Sequence, residues 1–472
     1  MNFPSTLILI GISAVLGRVV WQRWRVLTLL VVSVLAVFAF QPALPIRGLG
    51  FWLPTLTLGL TALCWLLTTP TPQRRWREQL LAIAVLTGVP LLLGLTRYLD
   101  FPVPLTTSLP PQLWQVVVLL TVFALTAFLL TRSASPNTLV LTVAFAGILV
   151  LFAILKIPAL ATQTGVLLRQ LNQQSVALAS PLDLRWLGFS YIAFRILHTL
   201  RDRQNGRLPD VSLAEYVVYV IFFPALSAGP IDRIERFITD LRRPAAPTTA
   251  DFGLASQRLA LGLFKKFAVA DTLSLVALNS TNALQVQSAG WAWVLLYAYA
   301  FQIYFDFSGY TDIAIGMGKL IGFNLPENFN APYLKPNLTQ FWNSWHITLT
   351  QWFRSYFFNP LTRWLRSSSW SLPPALLILV TQLATMLLIG LWHGVTGPFV
   401  LWGLWHGLGL FVDNRWSTLT RARTASLSPH WQSFFNICGI VLTFHFVMLG
   451  WVFFALPTVE TCVHFLRVLL TF

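Results

Sequence analysis

The chain has 472 residues, of which 56% are hydrophobic and only 10% charged. Soluble domains carry about 25% charged residues, so the composition excludes an ordinary soluble enzyme and points to a protein built in lipid. Lys and Arg total 32 against 16 acids, a net charge of +16. These cations sit in short stretches between apolar runs, which makes them an orientation signal and not a nucleic-acid surface.

Apolar runs of roughly 20 residues, enough to cross a bilayer, recur from end to end. They are continuous and do not alternate, which argues against a β-barrel. The expected fold is all-α: a polytopic membrane protein of about 11–13 membrane helices, re-entrant segments included. The predicted spans are 5–17, 26–44, 51–69, 79–96, 112–131, 137–156, 184–200, 213–229, 257–279, 289–305, 372–393, 395–412 and 432–455. The first lacks a basic leader and is followed by "RVVWQRWR", the reverse of a cleaved signal peptide. It is therefore read as a membrane helix whose C-terminal end faces the cytoplasm.

Basic clusters fall at Arg18/Arg23/Arg25, Arg74/Arg75/Arg77, Arg201/Arg203/Arg207, Arg233/Arg236, Arg242/Arg243, Arg363/Arg366 and Arg415/Arg421/Arg423. If 184–200 ends inside and 213–229 crossed fully, Arg233 to Arg243 would lie outside. The segment ends "FFPALSAGP", broken by Pro224, Gly229 and Pro230. A re-entrant helix removes the conflict. Irregular backbone at membrane depth needs cover from protein or a water-filled cavity, and a cavity is expected here.

A second irregular zone is expected from Ser308 to Ser371, with a break at Ser308–Gly309 in "YFDFSGYTDIAIG". It is too polar to span and too aromatic for a free linker, which suits the cytoplasmic interface. Beyond it, Arg363 and Arg366 lie inside, so 372–393 runs outward. Segment 395–412 returns to the Arg415–Arg423 cluster, and 432–455 leaves again.

Seven histidines are present. His198, His406, His445 and His464 lie in or beside apolar runs, and the expectation for each is a packing residue hydrogen-bonded to a neighbouring helix. His346, in "WNSWHITLT", and His393, in "LIGLWHG", stand apart. An ionisable group placed in a membrane segment is costly and marks function. Asp306 and Asp312 carry the same cost, and Arg354 and Lys319 are their predicted partners. Cys64, Cys438 and Cys462 lack metal-ligand spacing, so no metal site is expected. No phosphate loop, GxSxG elbow or HExxH occurs.

Five stretches in order now resemble one family: "FFPALSAGPIDRIERF", "LGLFKKFAVAD", "FQIYFDFSGYTDIAIGMGKLIGFNLPENFNAPY", "FWNSWHITLTQWFRSYFFNPL" and "LWHGVTGPFVLWGLWHGLG". This pattern is similar to the membrane-bound O-acyltransferases, in the bacterial branch that includes the alginate O-acetylation and teichoic acid D-alanine transfer proteins. The resemblance implies a ring of helices around a central tunnel. It also implies an acyltransferase of the bacterial plasma membrane, with His393 as the active-site histidine and His346 as its second histidine. Ser355 and Ser344 stand where the family pattern carries an aspartate and an arginine.

On that reading Asp306, Asp312, Asn343, Ser344, Arg354 and Trp392 contribute to substrate binding. Arg354 and Lys335 would attract a donor phosphate, and Asn343 or Ser344 would donate to the oxyanion. No cofactor is expected to be tightly bound; an acyl thioester of coenzyme A or of a phosphopantetheine carrier protein is the co-substrate. The acceptor is a hydroxyl on an extracytoplasmic glycan, or a secreted acyltransferase partner. The expected organisation is N-terminal membrane helices at 1–183, the acyltransferase core at 184–455 and a tail at 456–472. A small-solute transporter or proton-coupled channel is the alternative user of the same His/Asp cluster. It predicts corresponding discontinuous helices in two halves of the chain, and the sequence shows no such symmetry.

Overall fold

In a computed structural model, residues 3–19, 24–99, 106–132, 138–243, 247–368 and 372–471 are described. Ser371, the expected end of the irregular zone, falls outside them. The described residues are helical, with no strand beyond one isolated bridge, Phe329 to Trp345. This is the all-α, polytopic membrane architecture that the hydropathy demands, since helices satisfy every backbone polar group within one segment.

The helices are α1 Phe3–Val19, α2 Arg25–Ala39, α3 Leu49–Thr68, α4 Trp76–Leu95, α5 Leu113–Arg132, α6 Thr138–Lys156 and α7 Pro158–Leu171. There follow α8 Phe189–Gln204, α9 Leu213–Val220, α10 Ile234–Arg242, α11 Thr249–Leu263, α12 Asp271–Ser274, α13 Asn282–Gln285 and α14 Ala289–Leu320. The series ends with α15 Leu338–Trp342, α16 Ile347–Phe353, α17 Asn359–Ser367, α18 Pro374–His393, α19 Gly397–Ala425, α20 Pro429–Ala455 and α21 Val459–Leu470. Six helices are long and apolar enough to cross a bilayer: α3, α4 with its last turn, α5, α6, α18 and α20. Three shorter apolar helices accompany them, within Phe3–Arg18, Arg25–Ala39 and Leu213–Ala225.

Two compact units divide the chain. One comprises Met1–Gln257 with Ala314–Leu325, the other Arg258–Ile313 with Pro326–Phe472. In the first, α3 is rich in threonines whose hydroxyls donate to the carbonyl four residues back, as at Thr55, Thr57 and Thr61. That self-satisfaction lets polar side chains sit in an apolar helix. The broken segment after α9 is packed in protein rather than lining a cavity. Tyr216 to Leu226 are all buried, and Arg195 donates to the carbonyls of Val220 at 2.9 Å and Ala225 at 2.8 Å. A guanidinium thus does the work that water was expected to do.

In the second unit, the predicted break at Ser308–Gly309 is absent, and α14 runs on through both residues. Gly309 serves close approach instead. A Cβ on Gly262 of α11 would stand 2.7 Å from the Gly309 carbonyl oxygen, and a Cβ on Gly309 would stand 2.8 Å from that of Gly262. The irregular backbone is confined to the connection after α14 and to short helices up to His346. Two π-helical turns, Phe264–Ala270 and Arg354–Phe358, join α11 to α12 and α16 to α17 without interrupting the helical path. Residues 456–472, read as a tail, contain α21, whose Cys462, Phe465 and Leu469 are fully buried.

Candidate active site

His393 ends α18, and its position is set by the hairpin that α18 forms with α19. Small residues bring the two backbones together: a Cβ on Gly403 would stand 2.8 Å from the Leu387 Cα, and one on Gly407 would stand 3.1 Å from the Leu383 Cα. The imidazole is half-buried. Four aromatic rings surround it: Trp392 at 4.5 Å, Phe454 of α20 edge-on at 4.7 Å, Trp402 at 5.6 Å and Phe399 at 6.0 Å.

His346 is positioned by backbone. It precedes α16 with φ +43°, a left-handed conformation that costs free energy in any residue with a Cβ and persists only where surroundings impose it. Asn328 imposes it. Its carbonyl accepts from the Ile347 N–H at 3.0 Å, and its side-chain oxygen accepts from the Thr348 N–H at 3.2 Å and the Thr348 hydroxyl at 2.6 Å. The Asn330 N–H donates to the Ser344 carbonyl at 3.0 Å, on the other side of the same loop. The ring of His346 is buried against Phe307 at 4.6 Å and reaches Trp392 at 6.3 Å. Burial pushes the imidazole down to about 3, so it is uncharged. The indole of Trp392 is thus a ring neighbour of both histidines that the sequence singled out.

The sequence reading missed a third histidine. His406 of α19 is fully buried, and neither ring nitrogen has a hydrogen-bond partner among the described residues. It was expected to be a hydrogen-bonded packing residue. Instead it is enclosed by Trp402 at 4.8 Å, Trp342 at 5.2 Å and Phe446 at 5.8 Å. The indole N–H groups of Trp342 and Trp402 are also buried without partners. Buried polar groups left unmade are rare and call for a reason. The second "LWHG" in the sequence was the available clue.

The carboxylates belong to a different structure. Asp312 pairs with Lys265 and with Arg258, at 2.7 and 2.8 Å, and Asp306 pairs with Lys266. Arg258 also pairs with Glu327. All three cations are on α11 or its π-helical turn. The predicted partners are engaged elsewhere: Arg354 donates to the side-chain oxygen of Asn343, and Lys319 pairs with Asp251. Asn343 is thus tied up by Arg354, while Ser344 is buried in the loop that carries His346. Lys335 lies half-buried at the end of a short turn, Pro332–Leu334.

The sequence profile of the membrane-bound O-acyltransferase (MBOAT) family matches residues 108–457. The chain belongs to this family. It is 35% identical over 271 residues to the probable alginate O-acetylase AlgI of Pseudomonas syringae pv. tomato, covering 57% of this chain and 48% of that one. It is 28% identical over 277 residues to the teichoic acid D-alanyltransferase of Bacillus subtilis, covering 58% of this chain and 69% of that one. A peptidoglycan O-acetyltransferase of Helicobacter pylori is 32% identical over 255 residues, covering 54% and 46%. The chain spans about half the length of the alginate relative it matches.

Membership of this family extends further toward the N-terminus than the five motifs do, since the match begins at residue 108, before α5. For an MBOAT protein, the histidine enclosure and the α11–α14 charge cluster are separate constructions within one unit. The first keeps imidazoles among aromatic rings, and the second compensates every carboxylate with a cation.

Proposed function

We propose that this chain is an integral-membrane O-acyltransferase. It takes a small acyl group, acetyl or similar, from a cytoplasmic thioester and passes it to a hydroxyl of an extracytoplasmic glycan or to a partner that completes the transfer. Names of the relatives support the range of cargo, which includes a D-alanyl group. The observation that carries the reading is the aromatic enclosure in which Trp392 neighbours the rings of both His346 and His393.

A hydroxyl is a poor nucleophile at neutral pH. In the proposed step, His393 takes the hydroxyl proton as the oxygen attacks the thioester carbonyl. The C–O bond forms, the C–S bond breaks, and the proton passes to the departing thiolate. Such general-base help contributes roughly 10²–10⁴-fold. Its half-buried, aromatic surroundings limit water, which would otherwise hydrolyse the thioester. His346, uncharged and held by the Asn328 clamp, orients the site through Trp392. The unpartnered indole N–H groups of Trp342 and Trp402 are donors for an oxygen that gains charge. Arg354 and Lys335 remain in the reading as contacts for the donor and Ser344 as a donor to the oxyanion, with Asn343 held by Arg354. Asp306 and Asp312 support the site through α14 rather than by touching the acyl group.

Transfer of radiolabelled acetyl from a thioester to polymer in membranes tests this directly. His393→Ala should abolish transfer while expression and membrane insertion stay intact. Transfer by that variant near the wild-type rate would exclude His393 as the base.

A further inference from the structure

An open cavity of about 410 Å³ is lined by Ser274, Leu278, Asn279, Tyr299, Gln302 and Ala455 among others. Ligand pockets span about 300–1,000 Å³, so this one suits a small unit. Its wall includes Ala455, and the preceding residue Phe454 is the ring that meets His393 edge-on at 4.7 Å. Tyr299 and Gln302 are one turn apart on α14, so both side chains share a face. Neither the Tyr299 hydroxyl nor the Gln302 amide has a hydrogen-bond partner among the described residues, although both are part-buried.

The distribution of basic residues orients the cavity wall. Arg363 and Arg366 precede α18, and Arg415 follows the apolar part of α19. Basic loops stay in the cytoplasm. The C-terminal ends of α18 and α20, with His393 and Ala455, therefore face away from it. Lys319 closes α14, which puts Tyr299 and Gln302 toward the outer end of that helix.

We propose that this cavity is the acceptor subsite and that it takes an uncharged, polyhydroxylated unit such as a neutral sugar residue. This inference rests on the transferase reading and adds the class of acceptor. Hydroxyls and amides that lack protein partners match a ligand rich in hydroxyls, which both donates and accepts. The apolar parts of the wall, Leu278 and Ala455, match the C–H face of a sugar ring. Among the described residues, no Lys, Arg, His, Asp or Glu lines the cavity. A carboxylate or phosphate on the bound unit would lose its hydration without finding a countercharge, a large cost. The subsite thus discriminates against uronate or glycerol-phosphate units at the reacting residue. Tyr299 and Gln302 act as binding residues and His393 as the base.

Titration of the full-length protein in detergent with maltohexaose and with a hexauronate, followed by tryptophan fluorescence, tests the subsite without any transfer. Maltohexaose should bind the more tightly by about tenfold, and Tyr299→Phe and Gln302→Leu should each weaken it about tenfold. His393→Ala should leave binding in place. Equal or tighter binding of the hexauronate, no binding of maltohexaose, or unchanged binding in both cavity variants would overturn the proposal. Transfer assays separate the two readings. If wild type transfers acetyl but neither cavity variant raises the KM for acceptor, the subsite is wrong and the transferase stands. If maltohexaose binding falls in the variants but wild type never transfers, the subsite stands and the transferase reading falls.

Discussion

The α11–α14 pair and the α18–α19 hairpin are built by the same device and then diverge. Glycines let two backbones touch in each: Gly262 against Gly309 in the first, Gly403 and Gly407 against α18 in the second. Close backbones leave the flanking side chains to be packed with little slack. In the first pair those side chains are Arg258, Lys265, Lys266, Asp306 and Asp312, matched cation to anion. In the second they are imidazoles and indoles, several with polar atoms unmade. A charge inside a membrane protein needs a partner to be tolerated at all. A neutral imidazole is tolerated without one, at a modest cost, and stays available for a proton. The contrast separates paired charges that hold the fold from the uncharged rings to which the proposal assigns the chemistry.

Exchanging the two roles gives the largest effects. Replacing His393 with Gln keeps a polar group of similar size but removes the base, so transfer should fall by about 10²–10⁴-fold with little change in thermal unfolding. A loss of folding without a specific loss of kcat in the surviving protein would erase the distinction. The glycine contact comes next. Gly309→Val would place carbons against the Gly262 carbonyl and the Lys266 N–H, and overpacking costs about 1–3 kcal/mol, occasionally more. The expected result is a lower unfolding temperature, with the surviving protein keeping the acceptor KM of the wild type.

Much of this was legible in residues and some was not. Hydropathy shows helices in lipid because helix hydrogen bonding is local and its period is written in the chain. The positions of His346 and His393 stood out because polar groups interrupt apolar runs. The partners of Asp306 and Asp312 did not, because a salt bridge between helices depends on which faces meet. Only Lys319 was nearer in sequence; Lys266 and Lys265, 40 and 47 residues from their partners, are brought in by the Gly262–Gly309 contact. The Ser308–Gly309 step looks like a break by propensity, yet tertiary packing keeps it helical. His406 was hidden for a different reason. Its repeated "LWHG" context suits a packing histidine equally well, and the absence of a partner sets it apart.

The charge pair offers a finer test. Asp312→Asn leaves Lys265 and Arg258 with less compensation, and should destabilise by about 1–2 kcal/mol. A charged hydrogen bond is worth about 1.5–3 kcal/mol, reduced here by the partial exposure of both cations. Asp312→Asn combined with Lys265→Met should recover part of that loss, because removing both members of a pair costs less than removing one. A double variant worse than the sum of the singles would mean that Asp312 acts beyond its pair. On the proposed function no corresponding rescue exists for His393.

The smallest effect is expected in the other unit, where α7 meets the 3₁₀ turn Pro181–Leu184. Arg169 donates to both carboxylate oxygens of Asp183, at 2.6 and 3.0 Å, and Asp183 also caps the turn with Ser180. The Arg169 hydrogen bonds hold the Asp183 carboxyl below its ordinary value, against the opposing pull of burial. A carboxyl lowered in the fold stabilises above its unfolded pKa, about 3.9, and that contribution is lost as pH falls through the lowered value. Asp183→Asn should therefore reduce the unfolding temperature at neutral pH, and the gap from wild type should narrow below about pH 4. Thermal unfolding in detergent at pH 7, 5 and 3.5 checks this. A gap that stays constant down to pH 3.5 would show that Asp183 supports the turn by shape and hydrogen bonding alone, and that a paired charge here, unlike those on α14, adds nothing electrostatic to the fold.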